Sequence, residues 1–503
     1  MFVRICLLFE QTGINTNNNP TIEKENIMTF WFITGSQFLY GEETLAMVEK
    51  DAKEIVAGLR LPFPVEYKLT AKTSREIEDI IKQANFDDDC AGIITFCHTF
   101  SPSKMWINGL AMLQKPWLHL HTQYNRAIPN EEIDMDYMNL HQSAHGDREH
   151  GFIGARLRAP RRVVAGYWKD EKTQQQIADW QRSAVGIAFS KQLKIVRFGD
   201  NMREVAVTEG DKVQAQIQFG WQVNTWAVGD LVEEINKVTD EQVDKLVGEY
   251  RTLYDMDDKD IDSIAYQARE EIAIKTILDR EGAKAFTNTF EDLHGMRQLP
   301  GLATQHLLSL GYGFGAEGDW KTAAMTAIIK AMYPDGAAAF MEDYTYDYEK
   351  GLILGAHMLE VCPTIAKSKP RIEVHHLGIG GKEDPARLVF EGRAGKALAV
   401  SLIDVGGRMR LIAQAVECTE PTQTMPNLPV ARIMWKPLPC LETGAHNWII
   451  AGGAHHTALS FDLTVDNLRD FARMTGIEFV LLDENTTPYA LEKELMLGDI
   501  IWR

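Results

Sequence analysis

Cysteine is scarce in this chain. Six thiols are spread over 503 residues, and the closest two, Cys90 and Cys97, stand seven positions apart. That spacing fits neither a CxxC redox pair nor a clustered zinc site, so the thiols read as reduced and structural. Positive charge is also in short supply, with 52 Lys and Arg against 71 Asp and Glu and a formal net charge of −19. Phosphate backbones and anionic lipid surfaces both require clustered Lys and Arg. Neither nucleic acid nor a membrane is therefore an expected partner, whereas a small neutral ligand is. No run of 18 or more apolar residues occurs, which excludes a spanning helix. Repeats and low-complexity linkers are missing too, and 45% hydrophobic with 24% charged residues excludes disordered and fibrous classes. At roughly 150 residues per domain the length predicts three to four units.

The first residues, MFVRICLLF, imitate a secretory signal, but Arg4 interrupts the apolar run, and Glu10 and Gln11 follow it with no small-residue cleavage site. A cytoplasmic protein is expected. Residues 1–27 read as an extension, and Met28, which opens a strand, reads as the start of translation. From there strands and helices alternate. Strands are predicted over 29–35, 65–69, 91–97, 117–121 and 163–167, and helices over 42–59, 74–84 and 171–184, with a short one after Pro102. Such β-α-β order predicts a parallel sheet covered on both faces. A second α/β unit starts at 193–198 and continues through the segment 213–219, helices over 241–254 and 261–278 and a strand over 285–290. The last third differs. Segments 386–390, 397–404 and 408–417 alternate apolar and polar residues, and Gly406-Gly407 sits between two of them as a hairpin turn, so an antiparallel sheet or barrel is expected. A helix over 465–474 and a strand over 479–482 are predicted to end the chain. The domains expected are 28–192, 193–337 and 338–503.

Ligands in α/β folds bind at the carboxyl ends of strands, and four polar words suit such positions: GSQFLYG (35–41), MNLHQSAH (138–145), GYGFGAEGDWK (311–321) and AGGAHH (451–456). The third contains GxGxxG, with Asp319 placed to cap a helix over 320–331. A dinucleotide fits it poorly. Glu317 would set a carboxylate beside a pyrophosphate, and 303–310 reads as a helix where the fingerprint requires a strand. A glycine-flanked Glu instead presents its carboxylate to something positive. Two further loop-like words offer ligand atoms, FMEDYTY around Glu342 and GAHMLE around His357. With His456 they give two carboxylates and two imidazoles, spaced 25, 15 and 99 residues apart. That donor set suits a divalent ion of intermediate softness such as Mn²⁺, with positions left open for substrate oxygens.

Plainer roles are open to the same residues. His455-His456 fits a turn with one imidazole bonded internally, and in an extended segment only one of the two faces an ion. Glu342-Asp343 fits a solvated strand end, His145 a surface residue, and Phe100, Phe290 and Met358 core side chains.

Eleven words in order, GSQFLYG, HTFSPSKMWINGL, HTQYN, IDMDYMNLHQSAHGDRE, RFGDNMREVAVTEGDKV, TNTFEDLHG, EGDWKTAA, FMEDYTYDYEKG, HMLEVCP, HLGIGGKEDPARL and AGGAHHT, resemble those of the L-arabinose isomerases, from Met28 almost to Arg503. The resemblance implies two Rossmann-like parallel-sheet domains followed by a C-terminal antiparallel β-barrel-like domain. It also implies a homo-oligomer, hexamer or tetramer, with the pocket between subunits. By the same matching the metal ligands are Glu317, Glu342, His357 and His456, holding one Mn²⁺ per subunit, with Co²⁺ or Mg²⁺ as substitutes. Sugar contacts fall to Gln37, Tyr40, Phe100, Gln142, His145, Phe290 and Met358, of which Gln142 and His145 orient hydroxyls and aid ring opening. The implied activity is conversion of L-arabinose to L-ribulose, with D-galactose to D-tagatose as a second reaction. Glu317 and Glu342 are expected to shuttle the protons, Glu317, just before a helix N-terminus, as the base and Glu342 as the acid. Residues 1–27 and the tail after Pro488 depart from the family pattern. Two rival classes are a metal-independent glycosidase using the Glu pair and a non-catalytic sugar-binding protein.

Overall fold

In the computed structural model, residues 28–421 and 423–502 are described. The expectation about residues 1–27 lies outside them. The first sheet contains β1 (Thr29–Gly35), β2 (Val65–Ala71), β3 (Cys90–Cys97), β4 (Trp117–His121) and β5 (Arg162–Ala165), all parallel, in the order β2-β1-β3-β4-β5. β3 is buried along its whole length, as a central strand with helices on both faces must be, and this is why it reads as a continuous apolar run. The order reverses between β1 and β3. The loops after these strands, carrying Gln37 and Phe100, therefore meet at the crevice where doubly wound sheets bind ligands.

A second parallel sheet holds β6 (Lys194–Phe198), β7 (Gln222–Trp226), β8 (Ala285–Asn288) and β9 (Gly313–Ala316) in the order β7-β6-β8-β9. The segment 213–219 proves to be part of a helix, Lys212–Phe219, capped by the Asp211 side chain on the Gln214 amide. β9 is the glycine-rich word itself. A Cβ on Gly313 would stand 2.2 Å from the carbonyl oxygen of Ala323, and one on Gly315 2.4 Å from that of Asp319. These glycines let the helix Trp320–Met332 lie directly against the strand, a packing reason for the GxGxxG spacing that involves no phosphate. Gly313→Ala is expected to cost ~3 kcal/mol, the upper range for overpacking, because the opposing atoms are backbone and cannot rotate away. Thermal unfolding of the purified variant checks this, and an unchanged midpoint would contradict the packing argument.

The third sheet closes. Strands β10 (Ala338–Asp347), β11 (Leu352–Ala356), β14 (Gly395–Asp404), β15 (Met409–Thr419), β16 (Arg432–Pro437) and β17 (His456–Ser460) form a six-stranded antiparallel ring, β14-β17-β10-β11-β16-β15, with β14 and β15 paired to complete it. β12 (Arg371–Val374) and β13 (Ala386–Val389) form a separate hairpin, and β18 (Glu478–Leu482) adds in parallel to β15. The fold is thus two parallel-sheet α/β units and an antiparallel barrel. β18 does not end the chain, contrary to expectation. A helix, Pro488–Ile501, follows, started by Pro at its first turn and by the Thr487 side chain on the Ala490 amide. It shows no clean apolar stripe, since Leu491 and Leu495 are buried while Met496, Leu497, Ile500 and Ile501 are exposed. Among the described residues no helix is long and apolar enough to cross a membrane.

Candidate metal centre and a second cleft

Glu317 leaves the C-terminal end of β9 in a left-handed conformation, φ +61°, followed by Gly318 at φ +82°. Two successive left-handed residues turn the chain sharply before Asp319 starts the next helix. A Cβ on Gly318 would stand 2.5 Å from the Asn201 Cα, so only glycine fits there. The Asp319 carboxylate accepts the Lys321 and Thr322 amides, at 3.2 and 3.1 Å, and the Thr322 hydroxyl at 2.7 Å. Across the cleft, the barrel register sets Glu342 of β10 opposite His456 of β17 on one side and Ala356 of β11, the neighbour of His357, on the other. Strand pairing, not proximity in sequence, brings these groups together. FMEDYTY is accordingly strand and not loop, while GAHMLE is strand only at Gly355 and Ala356.

Both histidines show one arrangement. His456 is fully buried, with Nδ1 3.2 Å from an Asp319 oxygen, while its Nε2 has no hydrogen-bond partner among the described residues and lies 3.7 Å from Glu317. His357 gives Nδ1 to Glu360 and points Nε2 at Glu342, 3.6 Å away. The Phe340 ring meets each imidazole edge-to-face, with centroids 5.0 and 5.2 Å apart. A carboxylate behind the imidazole and a free nitrogen in front is how metal-binding histidines are oriented and their tautomer fixed. An orphaned buried nitrogen facing a carboxylate fits a cation between them.

The electrostatics agree. Burial alone would raise the Asp319 carboxyl, yet Lys321 and His456 hold it down to about 2. His455 beside Glu317, helped by His456 and His357, lowers the Glu317 carboxyl below its ordinary value against the opposing effect of burial. Burial disfavours the charged form of His357, but Glu360 and Glu342 outweigh it and raise its affinity for protons. Glu317, His455 and His456 place ligand atoms within 4.8 Å of one another. Both adjacent imidazoles thus stand beside Glu317. His455 is a bend residue ahead of β17, so strand alternation does not apply to it. His455, Asp319 and Glu360 lie inside the quoted words, but the sequence assigned none of them a part in the metal site; Asp319 reads there only as a helix cap, which it is. A carboxylate three residues from a histidine, as in HMLE, was the available signal.

Phe290 and Met358 line a cavity of about 220 Å³ together with Glu317, His357 and Tyr344. The other five expected sugar contacts gather elsewhere, at the switch point of the first sheet. The Gln37 side-chain amide donates to the Phe100 carbonyl at 3.1 Å, and that of Gln142 donates to the Tyr40 hydroxyl at 3.1 Å. The His145 and Phe100 rings lie 4.6 Å apart. Gln142 and His145 border a cleft of about 760 Å³ whose rim includes Ile128, Met135 and Met138, all exposed. Among the described residues no hydrogen bond or ring contact joins the two groups within one chain.

Three family models match in succession: the L-arabinose isomerase N-terminal domain over residues 24–192, the central domain over 194–335 and the C-terminal domain over 337–478. The L-arabinose isomerase of Geobacillus thermodenitrificans is 56% identical over 486 residues, covering 94% of this chain and 98% of that protein. Its counterpart in Bacillus subtilis is 53% identical over 486 residues with the same coverage, and that of Thermotoga petrophila 54% over 483 residues, covering 94% and 97%. With all three domains matched in order and relatives aligned almost end to end, this chain belongs to the L-arabinose isomerase family.

Proposed function

We propose that the protein converts L-arabinose to L-ribulose, and more slowly D-galactose to D-tagatose, at a divalent metal held by Glu317, Glu342, His357 and His456. The observation that carries this reading is the pair of imidazoles, each backed by a carboxylate and each turning a free Nε2 toward a second carboxylate. Mn²⁺ suits this mixed oxygen and nitrogen set, and when bound it polarises the sugar oxygens as a Lewis acid. Glu317, kept ionised by its histidine neighbours and by the start of the helix beyond it, removes the proton from C2 and returns it to C1. Glu342 moves the second proton between O2 and O1. An enediol route is favoured over hydride transfer, for which two carboxylates would be superfluous.

One copy is incomplete on this reading. Five sugar contacts sit in the N-terminal cleft and two in the metal cleft. The exposed apolar rim of the former suits burial against another subunit, so the active site is proposed to form between copies of a hexamer or tetramer.

Chelated enzyme is expected to show no conversion of L-arabinose, and added Mn²⁺ to restore it. Conversion that survives EDTA would overturn the metal role, and release of free sugar from a glycoside by the chelated enzyme would favour glycosidase chemistry. With substrate deuterated at C2, label lost to water supports the enediol, and full retention in the ketose, with no exchange from water, favours the hydride route.

A further inference from the structure

The N-terminal cleft contains a carboxylate–imidazole pair that the metal chemistry does not use. Asp147, on the helix Ser143–Arg156, is almost wholly buried, and its carboxylate accepts three hydrogen bonds: from the Cys97 amide at 3.0 Å, His119 Nε2 at 3.0 Å and His121 Nδ1 at 2.9 Å. Three donors hold this carboxylate ionised despite its burial. His119 is sealed in the core and reaches no ligand, whereas the His121 side chain is 37% exposed and borders the cleft with Gln123, Gln142 and His145. With Nδ1–H committed to Asp147, His121 Nε2 has no protein partner among the described residues and carries the ring's free lone pair. An acid or base needs this arrangement: tautomer and orientation are fixed from behind, and the working nitrogen is open in front.

His145 differs. Its ring lies against Phe100, and among the described residues no carboxylate pairs with it. The charged and titratable groups around His121 are Asp147, which favours its protonated form, Arg148, which opposes it, His119 and His150 behind, and Arg126 and His141 along the same cleft.

We propose that His121, positioned by Asp147, is a catalytic acid–base that opens the pyranose ring of the sugar before isomerisation. This rests on the reading that the N-terminal cleft forms part of the sugar site. Neutral Nε2 takes the proton from the anomeric O1 hydroxyl. The O1 electron pair forms the C1=O1 bond, the C1–O5 bond breaks with its pair going to O5, and the imidazolium delivers the proton to O5. His121 ends neutral, and no co-reactant is needed. O1 and O5 are both bonded to C1, so one nitrogen serves both.

The test uses full-length, Mn²⁺-loaded His121→Gln enzyme beside wild type, with L-arabinose and its C2-deuterated form. kcat/KM is expected to fall ~10²–10⁴-fold, the usual worth of a positioned proton-transfer group. The unfolding midpoint and Mn²⁺ binding should stay unchanged. The deuterium effect should stand at unity, because ring opening now limits the rate, and added imidazole should restore turnover to His121→Gly. Activity within threefold of wild type overturns the proposal. So does a loss that imidazole fails to rescue and that shows an isotope effect above unity, since C–H cleavage would still limit. A wild-type enzyme that does not convert L-arabinose would instead defeat the broader functional reading.

Discussion

Glu317→Gln and Glu342→Gln enzymes are each expected to lose roughly 10²–10⁴-fold in kcat at saturating sugar and Mn²⁺, the range for removing one proton-transfer group. Gln keeps the shape of the side chain and removes both its charge and its basicity. The fold should survive, because neither carboxylate ties the core together. Glu342 faces His357 across 3.6 Å and Glu317 faces His456 across 3.7 Å, with both acids partly open to the cleft. The two variants should also differ. Glu317→Gln should stop exchange of the C2 hydrogen with water, because its base is gone. Glu342→Gln should continue that exchange while failing to release ketose, since the proton between O2 and O1 no longer moves. Wild-type turnover in either variant would remove that carboxylate from the reaction.

The first parallel sheet, and β6 and β8 of the second, were legible as apolar runs alternating with helices, a pattern that needs no tertiary information; β7, partly exposed along its whole length, and β9, a glycine-rich word, were not. Gly406-Gly407 was legible for another reason. Both residues have positive φ, +82° and +79°, as a tight hairpin turn requires, and they join β14 to β15 at the pair Asp404–Met409. β10 was not legible. Its outer half, Glu342 to Asp347, mixes acids and half-exposed tyrosines over a cleft and so imitates a loop. The site was legible as residue types but not as geometry. Glu342 and His456 meet through strand register across more than a hundred residues, and no local pattern encodes that pairing. The roles of Asp319 and Glu360 depend on which nitrogen of each histidine faces the cleft, which only the folded arrangement determines. Likewise, HTQYN carried His121 as one letter of a family word. Its partner Asp147 became visible only when β4 and the helix Ser143–Arg156 were placed side by side.

Acid is expected to unfold the N-terminal α/β unit through His150. Its ring is wholly buried between Trp106, Trp117 and His119, with Nε2 3.0 Å from the Thr95 hydroxyl. Burial first, then the nearby His119 and Arg161, push its pKa down to about 3, outweighing the opposite pull of Asp147. In the unfolded chain it titrates near ~6.5. Between those values the unfolded state binds a proton that the folded state refuses, so the contribution is intact above about pH 6.5 and is lost progressively as pH falls toward 3. The full loss is at most roughly 5 kcal/mol for a shift of this size, comparable to a large share of a domain's net stability. Trp106 and Trp117 touch the ring, so their fluorescence during an acid titration reports the event directly. His150→Phe keeps an aromatic ring in the same pocket and removes the proton site, and its unfolding should move to lower pH. Coincident acid transitions for wild type and variant would show that another group governs the opening. Because His150 shares its helix with His145 and Asp147, the N-terminal cleft should fail in the same pH range as the tryptophan signal. Loss of turnover that tracks that signal, with Mn²⁺ still bound, would place the acid-sensitive step in this unit and not at the metal.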